Sequence, residues 1–381
     1  VLRDVLRTPS TGIVETDAKK GLVKYAKPAG VIASLIPMTN PAMTPPVTGV
    51  SSANARNAVI FSPHPRTAAT TCEMSRIMRA ACHAVGAPED LFQCIERPSI
   101  PMTQYLMESC DLTLATGGKP MVQAAYSSGK PAYGVGAGNS TIVVDETADL
   151  NEAAKNIMIS KTSDFGSGCS ADGNIVIQKS IYRNMVSELK ANNGYLCNGA
   201  EKELLSRVMW DDKENRTFST IACKPQQLAL VAGFEIPENI KFLMVENNGQ
   251  IGKEHKFSKE KLTTLMALYY FEEFPDALNI IQKIYEVGGK GHSCGIYSSS
   301  DKNIDALARV APVSRMMVRQ PQSKSNAGSW TNGMPMTSSL GCGIWGGNIT
   351  NENVTMKHMM NYTWVSKPCL LYTSPSPRDR G

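Results

Sequence analysis

Within residues 12–36, charged and apolar positions first alternate, then give way to an unbroken apolar run at Gly30-Val-Ile-Ala-Ser-Leu-Ile36. A period of two that ends in a continuous apolar stretch predicts a hairpin-like arm leading into a buried strand. Pro37-Met-Thr-Asn-Pro41 follows, a turn with a proline on each side. From 58 to 145 short apolar runs alternate with helical patterns. Strands are predicted over 58–62, 91–95, 112–115 and 132–135. Helices are predicted over 66–85 (closed by Gly86), 102–109 and 117–128. This β-α-β rhythm predicts a parallel sheet covered on both faces, and such sheets bind ligands at the carboxyl ends of their strands. The rhythm restarts near 149, with helices over 149–162, 180–191, 200–209, 275–287 and 302–309. Its strands fall over 175–178, 241–245, 265–270, 294–298 and 313–319. That is a second α/β domain, and no long low-complexity linker parts it from the first. Residues 322–353, rich in Gly, Ser, Asn and Thr, read as a long structured loop.

Composition narrows the class. A chain of 381 residues, 42% hydrophobic and 19% charged, has the make-up of an ordinary soluble globular protein with two or three domains. Its net charge of +5 comes without a basic block, so nucleic acid is not expected as a partner. Ten cysteines are scattered with no Cys-x-x-Cys pair and no His/Cys cluster at zinc spacing. No metal is expected, and the pattern suits reduced thiols in a cytoplasm better than a disulfide framework. No apolar run is long enough for a membrane span, and no signal peptide is seen. The chain opens at Val1 inside a helical pattern, so residues are expected to be missing ahead of it. Residues 369–381 break abruptly from what precedes them and resemble translated sequencing-adapter DNA, so they are excluded from the fold reasoning.

Candidate chemistry centres on Cys169, in Phe165-Gly-Ser-Gly-Cys-Ser170, where a helical run gives way to a Gly/Ser turn ahead of an apolar strand. Small neighbours leave the thiol open to a substrate, and the N–H groups of a tight turn can face an oxyanion. The plainer reading is a small buried thiol. Asn40 ends a buried strand, where it is either an amide donor to an oxyanion or a turn asparagine. Ser62-Pro-His-Pro65 and Thr116-Gly-Gly118 each follow a strand, and the second opens a helix whose free N–H groups favour anions. Neither has the Gly-x-Gly-x-x-Gly spacing, nor does Gly134-Val-Gly-Ala-Gly138. His292, in Gly288-Gly-Lys-Gly-His-Ser293, is a candidate base or a structural loop histidine.

Taken in order, several motifs resemble the aldehyde dehydrogenase superfamily, and more narrowly its CoA-acylating branch. They are Pro28-x-Gly30-Val31, Thr39-Asn40-Pro41, Ser62-Pro-His-Pro65, Ala115-Thr-Gly-Gly118, Ser128-Gly-Lys-Pro131, Glu260-Lys-Leu262, Gly288-Gly289 with Gly291-His292, and Leu340-Gly-Cys-Gly343 with Trp345-Gly-Gly-Asn348. The resemblance spans about residues 12–367 and implies a Rossmann-type cofactor domain (1–148, with an oligomerisation arm). It implies a catalytic domain over 149–342 and a return segment over 343–368. Cys169 would be the nucleophile, Asn40 the oxyanion donor, and His292 a group that deprotonates or orients a thiol. Met38, Thr39, Ser62, His64, Thr116, Gly117, Gly118, Met121, Val135, Gly136, Glu260 and Leu262 would line the site for NADP or NAD, Glu260 holding the nicotinamide-side ribose. Cys342 would be structural. A homodimer or homotetramer is implied.

Hydrolytic relatives carry a glutamate base where this chain has Gly134, so a thioester on Cys169 would await a thiol, and coenzyme A is such a co-substrate. The rivals are a hydrolysing enzyme, an acetaldehyde or other short-chain acylating enzyme, and a nucleotide-binding scaffold without catalysis. The Cys169 loop and the 315–348 segment resemble members acting on sulfoacetaldehyde. Arg319 stands where members acting on neutral aldehydes have asparagine, which makes it the expected binder of a small anionic aldehyde; the alternative is a surface arginine paired with a carboxylate. No acidic residue ends the strand at Ser62, and His64 and Arg66 would tolerate a 2′-phosphate, favouring NADP.

Overall fold

Three sheets carry the chain, and the computed structural model describes residues 1–368. The adapter-like tail, 369–381, lies outside the described residues. The predicted arm is an antiparallel hairpin of β1 (Gly12–Asp17) and β2 (Leu22–Pro28). Its alternation leaves most side chains solvent-facing, with Ala26 packed inward. The apolar run becomes β3 (Val31–Ile36), buried at every residue but the first.

β3 is the middle strand of a parallel sheet with β4 (Ala58–Pro63), β5 (Phe92–Cys94), β6 (Leu112–Thr116) and β7 (Ala132–Val135), in the order β5-β4-β3-β6-β7. The chain works outward from β3 to β5, then returns across the middle to lay down β6. Strand order thus reverses between β3 and β6, which opens a crevice at their carboxyl ends. Parallel strands covered on both faces are apolar throughout, which is why periodicity exposed them.

At 136–140 the chain crosses into a second sheet. β8 (Thr141–Val144), β9 (Asn174–Gln178), β10 (Gly194–Leu196), β11 (Phe242–Glu246), β12 (Leu265–Phe271), β13 (Cys294–Tyr297) and β14 (Met316–Val318) are all parallel, in the order β10-β11-β12-β9-β8-β13-β14. Alternate residues of the same strand serve opposite cores. Val143, Val176 and Leu243 pack on one face, and Ile142, Ile175 and Met244 on the other. Each such side chain, fully buried, contributes about 1.5–3 kcal/mol.

The strand expected over 313–319 is confined to β14, because Pro312 precedes it and Arg319 turns left-handed at φ 53. The helices Thr44–Asn54 and Pro225–Ala232, and the three-residue β10, lacked a readable period. The loop 322–353 holds the one-turn helix Gln322–Ser325, the 3-10 turn Ile344–Gly346 and an antiparallel bridge between Leu340 and Asn353. β15 (Met360–Ser366) then pairs with β2 from Met360 opposite Pro28 to Ser366 opposite Leu22, completing a three-stranded sheet. One pair of cysteines departs from the expected reduced state: the helix Ala68–His83 packs against β5, which brings Cys72 and Cys94 to a Cα separation of 5.4 Å and a disulfide. The other seven described cysteines are free.

Candidate active site between the two parallel sheets

Cys169 lies in the turn between the helix Leu150–Thr162 and β9. Past Thr162 the chain reverses through Asp164 and Phe165, both left-handed at φ 48 and 51. The cysteine's carbonyl is pressed onto Gly138, where a Cβ would stand 1.9 Å from that oxygen. Ser140 Oγ donates to the same carbonyl at 3.2 Å. The side chain is half-buried. Burial pushes the Cys169 thiol up to about 12, with the charge of Glu260 and then Cys342 adding to it. A hydrogen bond from Ser170 and the positive charge of Arg315 pull the other way. The group is therefore a thiol at neutral pH.

Glu260 stands beside this turn. Its carboxylate accepts the Gly138 N–H, and burial lifts it to about 8 against the attraction of Lys161, Arg216 and Lys261. Lys161 and Lys261 are both buried, at 1% exposure. Burial brings Lys161 down to about 7 despite Asp172 and Glu260, while Lys261 donates to Asn174 Oδ1 at 2.5 Å. Asp172, lifted to about 7 by burial, accepts from Gln322 and Ser160 and keeps one oxygen unpartnered. Sequence reasoning missed these lysines; the signal was a charge at 161 on the inward face that also carries Ile157 and Ser160.

The crevice at the ends of β3, β4 and β6 has a volume of about 470 Å³ and is lined by Ser62, His64, Thr103, Pro120, Met121 and Ala124, among others. Ser62 Oγ meets Thr103 Oγ1 at 3.0 Å. His64 Nδ1 accepts the Arg66 N–H at 3.2 Å, and burial, then Arg66, lowers its pKa. The Arg66 guanidinium lies 4.0 Å over the Phe218 ring. Thr116 Oγ1 meets Ser339 Oγ at 3.0 Å, and Gly118 caps the helix Lys119–Tyr126. A Cβ on Gly117 would meet Met121 Sδ at 2.9 Å, so Gly117 packs closely against that side chain. Val135 is buried at the end of β7, and Gly136 donates to Asn348 Oδ1 at 3.2 Å. Leu262 is left-handed, and its carbonyl accepts the Ala222 N–H. Met38, Thr39 and Asn40 form the turn after β3. Asn40 is exposed, its carbonyl accepting from Thr44 and its backbone N–H donating to the Pro37 carbonyl, while its side-chain amide makes no hydrogen bond among the described residues.

Residues 4–203 match the sequence profile of the Aldehyde dehydrogenase family. The chain belongs to that family. A sulfoacetaldehyde dehydrogenase of Acholeplasma sp is 42% identical over 383 residues, spanning 100% of this chain and 78% of that protein. The crystal structure of an acetylating aldehyde dehydrogenase from Geobacillus thermoglucosidasius matches with a TM-score of 0.94 and 37% identity over 97% of this chain and 81% of that one. A propionaldehyde dehydrogenase of Rhodopseudomonas palustris, solved with bound CoA and an acylated cysteine, matches with a TM-score of 0.82 and 26% identity over 91% and 77%.

In this aldehyde dehydrogenase a Cβ on Gly134 would stand 2.4 Å from Val122 Cγ1 and 3.0 Å from the Tyr126 hydroxyl, so any side chain there would have to displace both. His292 is wholly buried; Nδ1 bonds Ser293 Oγ at 2.9 Å and Nε2 has no partner. Burial, then Arg315, brings it down to about 3, so the ring is neutral. Arg319 lies on the surface, with Nε 2.8 Å from Glu152 Oε2, the carboxylate pairing that was its alternative. Its partner comes from the helix Leu150–Thr162, not from the cysteine turn. The arginine whose charge reaches Cys169 is Arg315, buried at 5%. It donates to the carbonyls of His292, Gly341 and Asn351, and its Nε–H is buried without a partner. Among the described residues no helix is long and apolar enough to cross a membrane, and no His/Cys/Asp/Glu group would hold a metal.

Proposed function

We propose that the chain is a CoA-acylating aldehyde dehydrogenase and that its substrate is sulfoacetaldehyde. The observation that carries the acylating half is Gly134, where hydrolytic relatives have a glutamate and where this chain has no side chain and crowded space for one. The Cys169 thiol gives up its proton to solvent as its sulfur adds to the aldehyde carbon, and the Asn40 side-chain amide with a backbone N–H of the turn takes the oxyanion. The crevice lined by Ser62, His64 and Met121, at the carboxyl ends of the strands where the order reverses, suits a dinucleotide, with Thr116 and Gly117 just beyond it. A nicotinamide nucleotide held there, NADP or NAD, supplies the hydride acceptor. His64 in its lining, with Arg66 two residues on, favours a 2′-phosphate. The thioester left on Cys169 is taken by coenzyme A. A ring held near 3 is a poor proton acceptor, so His292 orients that thiol as a neutral acceptor.

The anionic substrate follows from Arg315 and its unpartnered Nε–H, in place of Arg319, together with the similarity to a sulfoacetaldehyde enzyme. The exposed sheet of β1, β2 and β15 belongs to homodimer or homotetramer contacts, and the compartment is the cytoplasm. A spectrophotometric panel of aldehydes with both nucleotides, with and without CoA, tests the whole reading. Turnover is expected to require CoA and to favour sulfoacetaldehyde over acetaldehyde. Equal rates without CoA, with free acid accumulating, would sink it.

A further inference from the structure

Ser140 and Ser293 stand just ahead of β8 and β13, neighbouring parallel strands whose register sets Thr141 opposite Cys294. Their hydroxyls are therefore side by side, 3.1 Å apart, on residues 1% and 0% exposed. Ser140 Oγ also lies 3.2 Å from the Cys169 carbonyl, and Ser293 Oγ lies 2.9 Å from His292 Nδ1. These are the two hydroxyls' hydrogen bonds among the described residues. The result is an unbroken chain from the imidazole to the main chain of the nucleophile.

The hydrogens on this chain have one consistent arrangement. A carbonyl oxygen only accepts, so Ser140 gives its single proton to Cys169. Ser140 must then accept from Ser293. With its own proton committed, Ser293 can only accept from His292, so Nδ1 carries the ring's one hydrogen. Nε2 is left with a bare lone pair, and Nε2 is the buried ring atom without a partner. The far end of the chain is fixed as well, because the Cys169 carbonyl is pressed onto Gly138.

We propose that Ser140 and Ser293 are positioning residues that hold His292 in its Nδ1–H tautomer, so that Nε2 is always the atom offered to an incoming thiol. The thiol rests on the CoA-acylating reading above; the tautomer does not. Neither serine touches the reacting atoms. Their contribution is to remove the Nε2–H tautomer, which would meet a thiol hydrogen with another hydrogen. Ring orientation set by the hydrogen bond on the opposite nitrogen is a general property of functional histidines.

The test uses protein labelled with ¹⁵N at histidine, His292 being assigned from the signals lost in His292→Ala. The wild type is expected to show a protonated Nδ1 and a bare Nε2. Ser140→Ala frees the Ser293 proton to point at Nδ1, and Ser293→Ala removes that partner, so both should shift the population towards Nε2–H. In Ser293→Ala the CoA-dependent step should fall about tenfold further than the single-turnover hydride burst, the size of one lost hydrogen bond. Ser293→Thr, which keeps the hydroxyl, should restore tautomer and rate. An unchanged Nδ1–H signal in both alanine variants overturns the proposal, and so does an equal fall of burst and CoA step. If His292→Ala leaves the CoA step intact while the serine variants still move the tautomer, the thiol-orienting role of His292 fails instead.

Discussion

Adding one methyl group at Gly138 should disable the enzyme while leaving it folded. The Cβ of Gly138→Ala would stand 1.9 Å from the Cys169 carbonyl oxygen, 2.8 Å from its carbon and 3.3 Å from its Cα. All three are backbone atoms, so no flexible side chain can swing aside. Restoring ordinary contact requires the cysteine turn to retreat by about 1.5 Å or more. A displacement of that size at a nucleophile costs on the order of a hundredfold in rate. The strain left in the fold is about 1–3 kcal/mol, within what a protein of this size tolerates. The Gly138 N–H that Glu260 accepts would move with it, so the cost falls on geometry and electrostatics together. The assay is kcat for NAD(P) reduction, read beside a thermal melt. Gly199→Ala is the control, because a Cβ there meets nothing within 4 Å. A Gly138→Ala enzyme within twofold of wild type would refute the account of how the cysteine is held.

Three further outcomes are expected. Cys169→Ala should abolish NAD(P) reduction yet bind the nucleotide normally by fluorescence titration; substantial residual turnover would remove it as nucleophile. Arg315→Lys should lower kcat/KM for sulfoacetaldehyde by ten- to a hundredfold more than for acetaldehyde, at about 1.5–3 kcal/mol for a charge-assisted bond. Arg319→Asn, losing a surface pair, should change neither, and equal losses on both substrates in Arg315→Lys would make that residue purely structural. Alkylation of Cys169, followed by mass spectrometry of its peptide, should rise less than tenfold per pH unit from about pH 7 to 9. Glu260 ionises near 8 and its charge then raises the thiol further, so Glu260→Gln should restore the full slope, and parallel profiles would exclude the coupling.

Most of the fold was readable because strands buried on both faces are apolar throughout, as β3 and β9 are. Elements held by few residues were not: β10 has three, and β15 is amphipathic only in the company of β2. In the site, Ser62, His64 and Thr116 stood out because each ends or follows a strand at a turn, and Cys169 because a Gly/Ser turn parts a helix from a strand around it. Arg319 pairs with Glu152 on the surface, while Arg315 is the buried one, and the sequence could not separate the two. Both arginines of the 315–319 stretch flank a three-residue strand, and the pattern cannot say which end is covered by the loop of Gly341 and Asn351. Ser140 and Ser293 were invisible because their relation is one of strand register, which no local pattern encodes.

The closing of the small sheet sets an order on the birth of the molecule. Pro28 and Asn361, joined at the end of β2 and β15, are 333 residues apart. While the ribosome works through that interval, the hairpin's inner edge has no neighbour, and an unpaired edge is an invitation to other chains. Both parallel sheets can be complete before that edge is covered. Contacts this distant in sequence form late and slowly. Newly made chains are therefore most prone to stick to one another through β2 during the last moments of synthesis, and loss of the residues after 359 would leave every molecule in that state.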